Sequence, residues 1–144
     1  MGYMKQPLVI NLPVTEVCDS KCVMCNVWSV KKTDHFNRDK IQRLFGQKIF
    51  SKVKHIGLSG GEPTLNTHLI DIADELLNCL PNLKSLSITS HGYHTNRHLY
   101  ILPQIKNLCS QKGVTFSLNI SLDGFEESHN KIRRVSDAFR NATE

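Results

Sequence analysis

Three of the chain's five cysteines lie close together near the N-terminus of the 144-residue sequence. The segment CDSKCVMC contains Cys18, Cys22 and Cys25 in a C-x3-C-x2-C spacing. A structural zinc site usually has four Cys or His ligands, whereas a catalytic zinc has three and one open position. A [4Fe–4S] cluster normally takes four thiolates, so three would leave one iron open for a bound molecule. The triplet therefore indicates a metal site, and an open cluster accounts best for three ligands.

Two glycines and an acidic residue form a second segment of chemical interest, LSGGEPTL at residues 58–65. Gly60 and Gly61 have no side chains, so the backbone can come close to a ligand. Glu62 and Pro63 add a carboxylate and a rigid turn. Polar residues also occur in the segments SITSHG, residues 87–92, and SLDG, residues 121–124. These segments become candidates for one binding site if the fold brings them together.

Apolar, β-rich runs alternate with helical patterns along the chain. Strands are predicted at residues 8–14, 53–61, 83–92 and 114–124, and helices at 38–52, 67–80, 97–111 and 136–144. Pro103 is expected to kink the third helix or to lie in its first turn. Strict alternation predicts an α/β fold with a parallel sheet, in which ligands bind at the carboxyl ends of the strands. The cysteine loop and the three later segments are thereby predicted to meet at one end of the sheet.

The composition is that of an ordinary globular protein, with 40% hydrophobic residues and a formal net charge of +5. No apolar run reaches the roughly 18 residues of a membrane-spanning helix, so no membrane partner is expected. No signal-peptide core is visible, and clustered thiols without one favour a reducing, cytoplasmic location. Nucleic-acid binding is not indicated, because no basic stripe with interleaved aromatic residues occurs. The excess of basic residues is compatible with an acidic partner.

The sequence gives no functional role to the remaining two cysteines or to a group of three histidines. Cys79 and Cys109 fall on the apolar faces of predicted helices, which is typical of small buried residues. His91, His94 and His98 have a spacing that could bind a metal, but no neighbouring carboxylate or cysteine in the sequence completes such a site. A surface loop is the preferred interpretation of this histidine segment.

The cysteine triplet after the first strand, followed by GGEP after the second, resembles the signature of the radical S-adenosylmethionine (SAM) superfamily. Met24 stands just before the third cysteine, where the family has an apolar, often aromatic residue whose neighbouring backbone meets the adenine. SITSHG is similar to the end of the family's third strand. The segment NISLDGFEESHNKIRR, residues 119–134, resembles a segment of members that modify peptides or proteins.

This resemblance implies two cofactors, a [4Fe–4S] cluster held by the three cysteines and SAM bound at the open iron. By position, the GGEP segment would hold the SAM amino group, Ser121 would contact the ribose and Arg133 would pair with the carboxylate. The full set of implied SAM-binding residues is Met24, Gly60, Gly61, Glu62, Pro63, Thr89, Ser90, Ser121 and Arg133.

The implied fold is an incomplete (β/α)6 TIM-like barrel, truncated after about four βα units, with residues 1–144 as the N-terminal portion of the core domain. The implied reaction is reductive cleavage of SAM to a 5′-deoxyadenosyl radical, which abstracts hydrogen from a substrate such as a peptide or protein. The expected partners are a small acidic electron donor of the flavodoxin or ferredoxin type and a second chain that completes the barrel. Two alternatives stay open: a catalytically silent remnant that binds a cluster or SAM, and a zinc-binding interaction module.

Overall fold

A four-stranded parallel sheet organises the chain in the computed structural model, which describes residues 5–30 and 35–144. The strands are β1 (Val9–Thr15), β2 (His55–Gly60), β3 (Ser85–Ser90) and β4 (Thr115–Ile120), and they lie side by side in that order. Each strand pairs in parallel with the next one along the chain, so every connection is a crossover of the βαβ type. Over the described residues the sheet is open, with β1 and β4 as its outer strands.

Five α-helices follow or connect these strands within the described part of the chain. They are α1 (Arg38–Phe45), α2 (Leu69–Cys79), α3 (Thr95–Gln111), α4 (Glu126–Arg133) and α5 (Ala138–Thr143). Three short 3-10 turns are present at Val27–Ser29, Lys48–Phe50 and Pro63–Leu65. Asn37 caps α1, because its Oδ1 atom accepts a hydrogen bond from the backbone N–H of Lys40 at 3.0 Å. None of the described helices has the length and apolar character needed to cross a lipid bilayer.

The core consists of one apolar cluster shared by the sheet and its helices. Four aliphatic residues, one from each strand, lie in register across the sheet: Leu12, Leu58, Ile88 and Leu118. The apolar stripe of α2 belongs to the same cluster, with Leu69, Ile72, Ala73 and Leu76 fully buried. Cys109 is also fully buried in this core and Cys79 packs against it while partly buried, which agrees with their predicted structural roles.

The first helix is shorter than predicted, and the position of the proline differs. A helix predicted over 38–52 ends at Phe45, because Gly46 caps it and the chain continues into the 3-10 turn Lys48–Phe50. Pro103 lies inside α3, well beyond its first turn. The strand predicted to reach Gly124 ends at Ile120, and Gly124 has a φ of +153°, which a strand residue does not adopt. The other predicted bounds agree to within two residues.

Helix α4 was missed by the sequence patterns, and its position matters for the site. Its sequence, EESHNKIR, contains a single aliphatic residue, Ile132, and so has no apolar stripe. Hydrogen bonds to the cysteine loop hold its last turn instead. The backbone N–H of Val23 donates to the carbonyl of Ile132 at 2.9 Å, and the Ser20 hydroxyl donates to the carbonyl of Arg133 at 3.3 Å. These bonds attach the last turn of α4 to the cysteine loop.

Candidate functional site

The carboxyl ends of the four strands surround one cavity of about 170 Å³. Most of the predicted site residues line it: Cys18, Cys22, Met24, Cys25, Gly60, Gly61, Thr89, Ser90, Ser121 and Arg133. These residues come from the segments after β1, β2, β3 and β4, which confirms that the four segments meet at one end of the sheet. Ser20, Val27, Ser59 and His91 also line the cavity and were not predicted to do so.

All three cysteines of the loop line this cavity, and hydrogen bonds within the loop set its shape. Cys22 is 6% exposed, whereas Cys18 and Cys25 are half-buried. The N–H of Cys25 donates to the carbonyl of Cys22 at 3.2 Å, and the indole of Trp28 donates to the carbonyl of Cys25 at 2.6 Å. Three cysteines that line one cavity can supply the ligands of a single metal group.

The charges around Cys18 favour a cation at this position. Burial raises the pKa of Cys18 to about 11, and the negative charges of Asp19, Cys22 and Glu62 add to the rise, against a backbone hydrogen bond at Ser20 that lowers it. A thiolate here would therefore need a compensating positive charge. Metal ions supply such a charge when they displace the thiol proton, so the donor set fits an iron or zinc centre.

The two glycines of GGEP bring the end of β2 directly against the cysteine loop. Gly60 has a φ of +125°, and a Cβ added to Gly61 would lie 2.1 Å from the carbonyl oxygen of Val17. The N–H of Gly61 donates to the carbonyl of Thr15, and the N–H of Glu62 donates to the carbonyl of Val17, both at 2.8 Å. Gly60 and Gly61 therefore allow the segment after β2 to contact the cysteine loop, and they also line the cavity.

Glu62 and Pro63 are the two predicted site residues that do not line the cavity. The Glu62 carboxylate is completely buried. Its Oε1 atom accepts hydrogen bonds from the N–H and hydroxyl of Thr64 and from the hydroxyl of Ser90, and its Oε2 atom accepts one from the N–H of His91 at 2.9 Å. The Glu62 side chain therefore joins the end of β2 to the end of β3, and its contact with SAM stays a prediction.

The interpretation of the histidine segment as a surface loop is wrong, because a carboxylate from the cysteine loop binds it. The Nδ1 atom of His91 accepts the N–H of Tyr93, so its Nε2 atom carries the proton and donates to Asp19 at 2.8 Å. The Nε2 atom of His94 lies 2.6 Å from the other carboxylate oxygen of Asp19. Hydrogen bonding from His91 lowers the pKa of Asp19 far below its usual value, and that from His94 adds to the effect. Ligand atoms of Cys18, Asp19 and His91 lie within 4.8 Å of one another.

The third histidine of this segment is buried as well. The hydroxyl of Ser90 donates to Glu62, so its oxygen accepts from the Nε2 atom of His98 at 3.0 Å. Asp19 immediately follows the first cysteine in the sequence, and this adjacency is the only local signal for its role. The partners of Asp19 lie 72 and 75 residues away, so no spacing rule could have found them.

Arg133 lines the cavity as predicted, and its side chain already has two partners in the chain. Its Nε atom donates to Asp123, and its Nη1 atom lies 3.7 Å from the sulfur of Cys22. Burial lowers the pKa of Arg133, but the hydrogen bond to Asp123 and the negative charge at Cys22 raise it, with a net rise. The guanidinium is therefore held as a cation beside one of the three thiols.

Comparison with known proteins gives both sequence relatives and structural neighbours. The family described as the radical SAM superfamily matches residues 12–144. GTP 3′,8-cyclase of Mannheimia succiniciproducens is 27% identical over 128 residues, which cover 86% of this chain and 35% of the relative. Mitochondrial GTP 3′,8-cyclase of Arabidopsis thaliana is 33% identical over 118 residues, which cover 79% of this chain and 28% of the relative. The chain thus spans about a third of the length of these curated relatives.

Two solved structures have the same fold over nearly the whole chain. Streptococcus suis SuiB bound to S-adenosylmethionine superposes with a TM-score of 0.67 at 15% identity, covering 94% of this chain and 30% of SuiB. SuiB bound to its precursor peptide SuiA superposes with a TM-score of 0.66 at 16% identity, covering 95% and 29%. The predicted α/β fold with parallel βα units, part of a TIM-like barrel, is confirmed by this likeness.

Proposed function

Because the chain belongs to the radical SAM superfamily, we propose that its cysteine loop binds a [4Fe–4S] cluster and that the adjoining cavity binds SAM. These are the cofactors of the family, and the family match confirms the resemblance predicted from the cysteine triplet and GGEP. One observation carries the proposal: three cysteines and the Gly60-Gly61 turn line the same cavity at the carboxyl ends of the strands. When bound, the reduced cluster supplies the electron for reductive cleavage of SAM.

The chain's own residues would orient SAM at the cavity. Cys18, Cys22 and Cys25 would hold three irons and leave the fourth for the SAM amino and carboxylate groups. The backbone at Gly60–Pro63 would accept the amino group, since Gly60 and Gly61 line the cavity and place no side chain in it. Thr89, Ser121 and Arg133 also line the cavity and are the proposed contacts to the rest of the SAM molecule. The Ser90 hydroxyl already has hydrogen bonds with Glu62, Gly92 and His98, so its proposed role is to shape the cavity.

Two substrate classes are supported by different observations. We propose a peptide or protein, because the fourth-strand segment resembles members that modify them and a structural neighbour is known bound to a precursor peptide. A nucleotide is the second candidate, because the curated relatives are GTP 3′,8-cyclases. If GTP increases the formation of 5′-deoxyadenosine when no peptide is added, the substrate is a nucleotide and the peptide proposal is overturned.

Charge and topology support the proposed partners. Three exposed basic residues lie beside the cysteines: Lys21, Lys131 and Arg134. The Val23–Ile132 hydrogen bond brings their two segments together. A small acidic electron donor such as a flavodoxin or ferredoxin fits this surface. The open sheet suits completion of the barrel by further βα units, including those of a second chain, with residues 1–144 as the N-terminal portion of the core domain. Five free cysteines favour the reducing cytoplasm.

Anaerobic reconstitution with iron and sulfide tests the cofactor proposal. We expect about four irons and four sulfides per chain, and 5′-deoxyadenosine after addition of dithionite and SAM. Cys22→Ala should lose both, whereas Cys109→Ala, at a core cysteine far from the loop in sequence, should keep both. Unchanged SAM cleavage by Cys22→Ala would contradict the cluster assignment. One zinc per chain without sulfide would favour the zinc module, and a full cluster that leaves SAM intact would favour the silent remnant.

A further inference from the structure

Arg133 is held against the sulfur of Cys22 by contacts on both sides. Its side chain is 11% exposed, its Nη1 atom lies 3.7 Å from Cys22 Sγ, and its Nε atom donates to Asp123. The hydroxyl of Ser20 lies 3.1 Å from the same sulfur and donates to the backbone carbonyl of Arg133. The sulfur of Cys22 therefore has two polar neighbours, one of which is a permanent cation.

The fold itself sets this arrangement. Arg133 is the last residue of α4, and the next residue, Arg134, ends the helix in a left-handed conformation with a φ of 55°. The Val23–Ile132 backbone hydrogen bond fixes the last turn of α4 to the cysteine loop. On the other side, the N–H of Asp123 donates to His129, a completely buried side chain. Both the guanidinium and its carboxylate partner are therefore anchored before any cofactor binds.

A buried cation beside a cluster ligand changes the energy of adding an electron. Reduction adds negative charge to the cluster, and the low exposure of Cys22 limits screening by water, so a nearby guanidinium stabilises the reduced form. Hydrogen bonds to the ligand sulfurs and the local net charge are among the factors that set cluster potentials. We propose that Arg133 is a positioning residue that raises the reduction potential of the cluster through its contact with Cys22, which rests on the proposed function of Cys22 as a ligand.

The test measures the midpoint potential of the reconstituted cluster by redox titration followed by electron paramagnetic resonance. SAM is left out, so that a role of Arg133 in binding the SAM carboxylate does not contribute. Arg133→Gln should shift the potential to more negative values, and Arg133→Lys, which keeps the charge, should shift it less. Asp123→Asn should shift it in the opposite direction, because it removes the negative charge that offsets the guanidinium. Arg134→Gln is the matched control, with the same loss of charge at an exposed neighbouring residue.

The outcomes separate this inference from the function on which it rests. The role of Arg133 would be overturned, and the cluster assignment would stand, if three proteins with full iron and sulfide content had equal reduction potentials: Arg133→Gln, Arg134→Gln and the unaltered protein. Failure of the unaltered protein to form a cluster would overturn the proposed function itself. If Arg133→Gln does not assemble a cluster, Asp123→Asn still decides, because an unchanged potential in that variant would refute the proposal.

Discussion

Replacement of Gly61 by alanine tests how the end of β2 is held against the cysteine loop. The added Cβ would lie 2.1 Å from the carbonyl oxygen of Val17 and 3.0 Å from the Cβ of Cys18. To reach an ordinary contact distance, the Val17 carbonyl would have to move by about 1.3 Å. Because Cys18 follows Val17 directly, the same movement would displace the first of the three thiols.

The magnitude follows from the contacts that this movement breaks. Loss of the 2.8 Å hydrogen bond from the Glu62 N–H to the Val17 carbonyl costs about 1 kcal/mol. Insertion of a methyl group into a close-packed contact costs about 1–3 kcal/mol more. We therefore expect the free energy of unfolding of Gly61→Ala to fall by about 2–4 kcal/mol, together with a lower iron content after reconstitution.

Urea unfolding of the metal-free protein and iron analysis of the reconstituted protein provide the assay. Gly57→Ala is the matched control, because Gly57 lies in β2 shortly before Gly61 and its added Cβ would meet only side-chain atoms, the nearer being Ser87 Oγ at 3.3 Å. Those side chains can adjust, so we expect a loss below about 1 kcal/mol and a normal iron content. The reasoning is refuted if Gly61→Ala and Gly57→Ala have equal unfolding free energies and bind equal amounts of iron.

Three further predictions concern buried polar groups near the site. Glu62→Gln should lower the unfolding free energy by about 2–3 kcal/mol, because an amide nitrogen cannot accept the hydrogen bonds that the carboxylate oxygen accepts. Glu127→Gln, at an exposed residue, is the control, and equal urea midpoints for the two variants would contradict this prediction. Asn66→Ala should lower the unfolding free energy by about 2–4 kcal/mol, because it removes hydrogen bonds to Val14, Phe36 and His68. A decrease of less than about 1 kcal/mol in the same urea measurement would contradict this role of Asn66. Burial lowers the pKa of His98 in the folded protein. As the pH falls below about 6.5, His98 therefore binds a proton more readily in the unfolded chain than in the folded one, and the free energy of unfolding decreases. His98→Gln should therefore lose less stability between pH 7.5 and 5.5 than the unaltered protein, and an equal loss would exclude this contribution.

Local patterns in the sequence are sufficient for most of the fold. Alternating apolar residues predict the strands because successive side chains point to opposite faces, and the apolar stripe of α2 predicts a helix on the same core. The same reasoning fails at α4, where Ile132 is the only aliphatic residue and hydrogen bonds attach the last turn to the cysteine loop. It also places the end of α1 too late, since Gly46 ends the helix before its apolar pattern does.

The candidate site was predictable to the extent that it depends on residue type and strand order. Thiol spacing and the paired glycines indicate a metal group next to a close backbone approach, and parallel strands bring their carboxyl ends together. The use of each side chain was less predictable. The Glu62 carboxylate faces the interior between β2 and β3, and Arg133 contacts Asp123 and the Cys22 sulfur.

The sequence by itself determined the alternation of strands and helices and the chemistry of the three thiols, because periodicity and residue type act over a few neighbouring residues. Only the tertiary structure decided which polar groups from distant segments meet, such as Asp19 with His91 and Arg133 with Cys22. These pairs are separated by 72 and 111 residues, and no local pattern specifies them. They form because the fold brings distant segments together and buries His91, Cys22 and Arg133, where a polar group without a partner is unfavourable.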